Sequence, residues 1–253
     1  MSPIRMLAVA AMACVARPAL AADEEIQVYQ DEMGAPGEIG LDLHINYVAD
    51  GDGRASYPGE ESPLHRWRFT PELSVGLGHG FELGAYVPLA TLAADGTPRT
   101  QGAKMRLKWV APHGARGFYW GANLEVGRVS HRIDQNPWNG EMKLIAGWRN
   151  DRIVAAVNAN LGFKISGPAS APAEAEIASK LAYRLSPRVA VGMESYNGLG
   201  PLSDIHPAGA GHSTFAVLDA ALGKWDVNIG IGKGYSGSAD STVLKFIIGV
   251  PLR

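Results

Sequence analysis

A strict alternation of apolar with polar or small residues, repeated along most of the chain, restricts what this sequence can fold into. Ile39, Leu41, Leu43, Ile45 and Tyr47 alternate with Gly40, Asp42, His44 and Asn46. Met105, Leu107 and Trp109 alternate with Lys104, Arg106 and Lys108. Trp120, Ala122, Leu124 and Val126 alternate with Gly121, Asn123, Glu125 and Gly127, and Trp225, Val227, Ile229 and Ile231 with Asp226, Asn228, Gly230 and Gly232. Successive side chains on a strand point to opposite faces, so a period of two defines strands with two unlike faces. An amphipathic helix needs apolar residues three and four apart, which these segments lack. About twelve such runs occur, at roughly 38–49, 64–77, 81–92, 103–111, 118–130, 140–149, 153–166, 174–186, 189–197, 212–222, 225–235 and 241–252.

The polar phase decides how the strands must be arranged. It carries Arg66, Arg68, Glu72, Glu82, Lys104, Arg106, Lys108, Glu125, Lys143, Arg149, Lys180, Arg184, Glu194 and Lys245. A Lys or Arg turned toward lipid near mid-membrane costs about 2–4 kcal/mol, and a dry core cannot hold so many charges unpaired. A closed barrel satisfies both limits, with its aliphatic phase in hydrocarbon, its charged phase in a hydrated lumen and every strand edge paired. The fold expected is therefore all-β, a transmembrane antiparallel up-and-down barrel of about twelve strands, with those fourteen residues lining the lumen. Glycine, at 31 of 253 residues, exceeds the usual ~7%; on the inward phase it leaves lumen volume and relieves crowding. No run approaches the ~18 apolar residues of a spanning helix.

Connections and aromatics agree with that topology. Tight joints at Gly78-His79-Gly80, Asn150-Asp151-Arg152, Ser186-Pro187-Arg188 and Gly223-Lys224, and a slightly longer one at 112–117, alternate with long segments. The long ones, 50–63, 93–102, 131–139, 167–173 and 198–211, are rich in Gly, Pro, Ser and Asp; the joint around Gly237 is short and departs from the rule. Outer-membrane barrels sort their loops by this parity, with tight turns on the periplasmic side. Phe81, Trp109, Trp120, Trp148, Tyr183 and Trp225 fall beside the short turns, and Tyr47 and Trp67 beside a long loop. Two interfacial aromatic girdles produce this distribution.

The N-terminus is an address. Arg5 precedes an apolar run from Met6 to Ala16, Arg17-Pro18 breaks it, and Ala19-Leu20-Ala21 follows as a small-x-small cleavage site. Residues 1–22 are read as a secretory signal, cut after Ala21 or Ala22, residues 23–37 as a periplasmic lead, and 38–253 as the barrel in the cell outer membrane. The single cysteine, Cys14, leaves with the signal, so no thiol chemistry is expected afterwards. The remaining 21 basic and 25 acidic residues give a net charge of −4, which excludes a nucleic-acid binder.

The stretches Asp23-Glu24-Glu25-Ile26-Gln27-Val28-Tyr29, Ala35-Pro36-Gly37-Glu38-Ile39-Gly40-Leu41 and His44-Ile45-Asn46-Tyr47 resemble a group of uncharacterised proteobacterial outer-membrane proteins. So do Thr70-Pro71-Glu72-Leu73-Ser74, Tyr86-Val87-Pro88-Leu89 and Gly249-Val250-Pro251-Leu252. More distantly the chain is similar to transporters associated with the meta-cleavage pathway of phenol degradation. The resemblance spans nearly the whole chain after the signal, implies the barrel fold, and carries over no catalytic residue. The chain departs from many such barrels by ending Leu252-Arg253 rather than on an aromatic residue.

Enzyme and metal chemistry find little footing. Ser130-His131 and His212-Ser213 are adjacent pairs, which point to opposite faces of a strand and so cannot form a nucleophile–base bond within it. Seven histidines are scattered, no His-Glu-x-x-His occurs, and no metal ligands or cofactor are expected. His206 and His212 share a loop with Asp204, and Asp50, Asp52, Glu60 and Glu61 make an acidic loop, but a calcium-loop spacing is broken by Arg54. The function expected is non-enzymatic: passage or binding of small polar or amphipathic solutes through a charged lumen. The rows Arg66/Arg68 and Lys104/Arg106/Lys108 form a basic ladder favouring anions, tuned by Glu72, Glu82 and Glu125. The alternatives are a plugged structural or surface-interaction barrel and, further off, a lipid-modifying hydrolase. Partners expected are outer-membrane lipid, a small solute and the barrel-insertion machinery.

Overall fold

The computed structural model describes residues 25–167, 172–238 and 240–252. The expected signal over residues 1–22, with Asp23, Glu24 and Arg253, lies outside the described residues. Among those described, twelve strands form one closed antiparallel barrel: β1 Ile39–Gly51, β2 Trp67–Gly78, β3 Phe81–Leu92, β4 Pro98–Val110, β5 Gly117–Val129 and β6 Trp138–Arg149, followed by β7 Ile153–Ser166, β8 Glu174–Ser186, β9 Val189–Pro201, β10 Gly211–Leu222, β11 Trp225–Ser236 and β12 Asp240–Pro251. Each strand pairs with its sequence neighbours, and β12 returns to β1, with Leu41 opposite Val250 and Asn46 opposite Lys245. A single 3-10 turn, Pro207–Gly209, is the helical structure among the described residues. No helix there is long and apolar enough to cross a membrane.

The strands match the alternating runs closely, with one instructive difference. β4 begins at Pro98 rather than 103, pairing Leu92 with Pro98 and Leu89 with Gly102 across two register shifts. Gly102 sits at φ 143°, a conformation that favours glycine, and the irregularity there interrupts the two-residue rhythm on which the earlier boundary rested. The β3–β4 connection is therefore shorter than its sequence suggested. The β2–β3 hairpin is as tight as expected: Gly78, His79 and Gly80 all have positive φ, which a two-residue hairpin requires.

Burial is inverted relative to a water-soluble core. Lys245 and Glu72 are 0% and 2% exposed, whereas Leu144 and Trp120 are 55% and 51% exposed. The pattern runs through β5, where Tyr119, Asn123 and Glu125 are buried and Phe118, Trp120 and Leu124 are not. A contiguous belt of exposed aliphatic and aromatic side chains this large is foreign to a soluble monomer. Strands of 12–14 residues, rising about 3.3 Å each and tilted by about 45°, cover a hydrophobic band of roughly 25–30 Å. Phe81, Trp120, Trp148, Tyr183 and Trp225 are exposed near the short turns. Trp109 packs edge-on against Trp120 at 5.0 Å, and at the other mouth Tyr47 stacks on Trp67 at 4.6 Å. Trp138 and Tyr235 extend that second girdle.

Residues 25–38 depart from expectation. Instead of trailing outside the barrel, they enter at the short-turn mouth and run up inside it as a strap. Gly37 N–H donates to Gly76 O and Gly76 N–H to Glu38 O at the mouth (2.8 and 3.0 Å). Farther in, Tyr29 packs with Tyr119 and Ile145, Val28 with Ala156 and Ala178, and Ile26 with Val48, Phe215, Val217 and Val243. The physical reason is burial: Ile26, Val28 and Tyr29 would meet water outside, and the wall offers apolar patches among its charges to receive them. Inward glycines also differ from their expected role. A Cβ at Gly147 would lie 2.1 Å from the Tyr119 ring, and one at Gly84 2.6 Å from the Glu72 carboxylate. Their missing side chains are filled by larger neighbours rather than left as open volume.

Candidate functional site: an ionic lumen crossed by a strap

All fourteen charged residues expected inside have their side chains buried or half-buried, and most can be followed to a partner. Near the short-turn mouth Arg106 on β4 bonds Glu72 on β2 and reaches Glu82 on β3 at 2.8 Å. Lys104 pairs with Glu125 across β4–β5 at 2.9 Å, and Lys143 with Glu141 within β6. On the opposite wall Lys180 lies 3.2 Å from Glu194 and 2.9 Å from Asp219, while Lys245 on β12 bonds Glu194 on β9. That last pair joins strands three apart, with the Lys245 side chain lying over the bare Gly230 of β11 on the inner face. In the long-loop half Arg66 donates to Glu61 O (2.6 Å) with Arg68 buried nearby, and at the short-turn mouth Arg184 donates to Asn150 O (3.1 Å). Buried charges are tolerated because they are paired, and removing one partner of such a pair costs about 3–5 kcal/mol.

The strap threads this lattice. Asn158 on β7 grips it as a strand would: Tyr29 N–H donates to Asn158 Oδ1 (2.6 Å) and Asn158 Nδ2 donates to Tyr29 O (2.9 Å). Lys108 donates to Glu32 O and Lys245 to Ile26 O (2.8 and 3.0 Å). Gly34 N–H donates to Glu82 (2.7 Å), and Arg149 bonds Asp31. Three cations surround the Tyr29 ring, with Arg106 at 5.8 Å and Lys108 and Lys143 at 5.3 Å from its centroid. Such contacts are worth about 0.5–2 kcal/mol each. The strap thus sets acidic side chains and backbone carbonyls against a basic wall.

Several inward residues were not singled out from the sequence. His44, Tyr86, Tyr119, Asn123, Asn158 and Asp219 all lie on the inward phase, and the strap residues Glu25, Tyr29 and Asp31 meet them. Their phase was readable, and the uncharged ones gave no energetic reason to be picked out; Asp219 carries the same charge signal as the others and was overlooked. Tyr29 and Tyr86 hydroxyls lie 3.0 Å apart and each donates to Glu25 (2.9 and 2.6 Å). Beside them His44 Nε2 stands 3.8 Å from Glu25 and 3.5 Å from Glu72.

Near the long loops a cavity of about 380 Å³ is lined by Glu60, Glu61, Arg99 and Arg132 among others. The acidic loop is already engaged: Asp52 bonds Arg54, which holds its carboxyl below the usual carboxylate range, and Asp50 accepts from Ser241 (2.6 Å). The serine–histidine candidates do not come together. His131 Nε2 lies 3.2 Å from Pro58 O, and His212 uses its two nitrogens on Asn197 and Pro207 O. His206 pairs with Asp204 at 3.1 Å in the exposed loop, away from His212's partners.

The architecture is that of outer-membrane porin barrels. A KdgM porin aligns over 85% of this chain and 99% of its own, at 12% identity and TM-score 0.56, and has also been solved with disordered oligogalacturonate. An outer-membrane channel from Pseudomonas putida F1 aligns over 90% of this chain and 100% of its own, at 8% identity and TM-score 0.61. The NanC porin aligns over 84% and 99%, at 12% identity and TM-score 0.54. These likenesses concern the fold. No protein-family model and no curated protein matches the sequence, so the likeness to phenol-pathway transporters gains nothing from sequence comparison.

Proposed function

We propose that the protein is an outer-membrane channel for small polar or amphipathic solutes, with a charged lumen that its own N-terminal strap occludes. The observation that carries this reading is that the strap is a guest in a polar conduit. It enters from one mouth, and beside the packing of Ile26, Val28 and Tyr29 it is held inside by hydrogen bonds and ion pairs to Asn158, Lys108, Arg149, Lys245 and Glu82. Such contacts exchange readily for water or solute, unlike an interdigitated apolar core. The exposed apolar belt supports a setting in lipid, with the short-turn mouth toward the periplasm. When the strap withdraws, Asp31 and the carbonyl of Glu32 leave Arg149 and Lys108 without these counterparts, and Lys245 loses Ile26 O while keeping Glu194. An anionic solute suits that vacated wall, as an oligogalacturonate suits the KdgM porin.

The test is planar-bilayer conductance of the refolded full chain and of a chain shortened to begin at Glu38. The expected result is little current from the full chain and stepwise, anion-preferring current from the shortened one, reduced when Arg106 or Lys108 becomes Glu. A folded shortened barrel that stays silent would overturn the reading. It would favour a structural barrel filled by its own salt bridges, for which the Arg106 pairs with Glu72 and Glu82 already provide part of the filling.

A further inference from the structure

We propose that Glu25, His44 and Glu72 form a binding site for one divalent transition-metal ion of the zinc type, clamped between strap and wall. One oxygen of each carboxylate and a ring nitrogen of His44 lie within 4.8 Å of one another. His44 Nε2 is 3.8 Å from Glu25 Oε1 and 3.5 Å from Glu72 Oε2. Those separations are long for hydrogen bonds. Two donors each about 2.0–2.2 Å from a tetrahedral ion stand roughly 3.3–3.6 Å apart, which is close to what is found.

A second observation points to a ligand independently. His44 is 1% exposed, yet neither of its ring nitrogens has a hydrogen-bond partner among the described residues. A buried imidazole is seldom left so, and its Nε2 faces the two carboxylates. Outer contacts steady those carboxylates: Tyr29 and Tyr86 donate to Glu25, and Arg106 takes Glu72 Oε1, leaving Oε2 toward the histidine. Such partners orient ligands in metal sites. Asp42 sits directly opposite Glu72 in the β1–β2 register and adds a third carboxylate to the neighbourhood, favouring a cation despite Arg106. One imidazole and two carboxylates suit zinc or a similar ion, whereas calcium takes six to eight oxygens.

Glu25 belongs to the strap and the other two ligands to β1 and β2, so the ion would pin the strap in place. The site needs only the docked strap and does not depend on solute passage. The test titrates zinc into the refolded full chain against a fluorescent zinc indicator, with hydrogen exchange at the Tyr29 amide as a second readout. One ion per chain is expected, with affinity reduced at least tenfold in both His44→Ala and Glu25→Gln, and zinc slowing strap exchange only in the parent chain. His206→Ala, which removes the exposed His206–Asp204 pair, should leave binding unchanged. Because Glu25 lies outside every wall strand, its variant reports on the site even if His44→Ala fails to fold. Absence of stoichiometric binding, binding that survives Glu25→Gln, or binding that is lost in His206→Ala would overturn the proposal.

Discussion

Replacing Asn158 by alanine isolates the hold of the wall on the strap. Asn158 is fully buried, and its amide satisfies both backbone polar groups of Tyr29, at 2.6 and 2.9 Å. Removal leaves that N–H and C=O inside the lumen without their partner, at a cost of about 1–3 kcal/mol each. Partial rescue by water that enters the space of the lost side chain brings the sum to about 2–4 kcal/mol. At about 1.4 kcal/mol per factor of ten, the undocked strap population should rise roughly 30- to 700-fold. The assay is hydrogen exchange of strap amides in the refolded barrel, read beside wall amides of β7 and β8. Strap protection should fall by that factor while wall protection stays within a few-fold. Arg54→Ala, in an exposed loop, serves as the control. Unchanged strap protection in a folded Asn158→Ala barrel would refute the idea that these two hydrogen bonds hold the strap.

Two further outcomes follow from the wall. Leu144→Arg, at the middle of β6 on the outward face, should cost about 2–4 kcal/mol in denaturant unfolding from lipid vesicles, whereas Trp225→Arg at the short-turn rim should cost about 0–1 kcal/mol; equal costs would remove the depth dependence that a bilayer imposes. Gly147→Ala should destabilise by about 1–3 kcal/mol, because its Cβ would lie 2.1 Å from the Tyr119 ring, and Tyr119→Ala in the same chain should recover part of that loss.

The wall was legible in the sequence because a strand in lipid has only one way to be stable. Leu107 and Lys108 differ so sharply in transfer energy that their neighbouring positions fix the faces of β4, and with them the register that sets Lys108 opposite Glu82. The aromatics beside the turns were readable for the same reason. Three things were not. The salt bridge from Lys245 to Glu194 links β12 to β9, and no local pattern reveals which residues meet across a closed lumen. The apolar inward residues Phe215 and Ile145 break the charged phase, and they make sense only once Ile26 and Tyr29 are seen to pack on them. The strap itself is too short and too acidic to announce a hydrophobic partner. Its buried apolar side chains are Ile26, Val28 and Tyr29, whose receiving surfaces are assembled from β1, β5, β6, β7, β8, β10 and β12.

The seam between β1 and β12 has a consequence for assembly. It joins the two ends of the barrel sequence, so its backbone bonds close the longest loop in the molecule and cannot form until the final strand exists. Until then both strands present open edges. The strap is continuous with β1, and it must either be lying along the inner side when the seam zips or be threaded afterwards through the short-turn opening. Enclosure during zipping needs no later passage past Glu82 and Arg106. Maturation of the wall and capture of its occupant would then be one event, and any chain that stops short of β12 would lose both together.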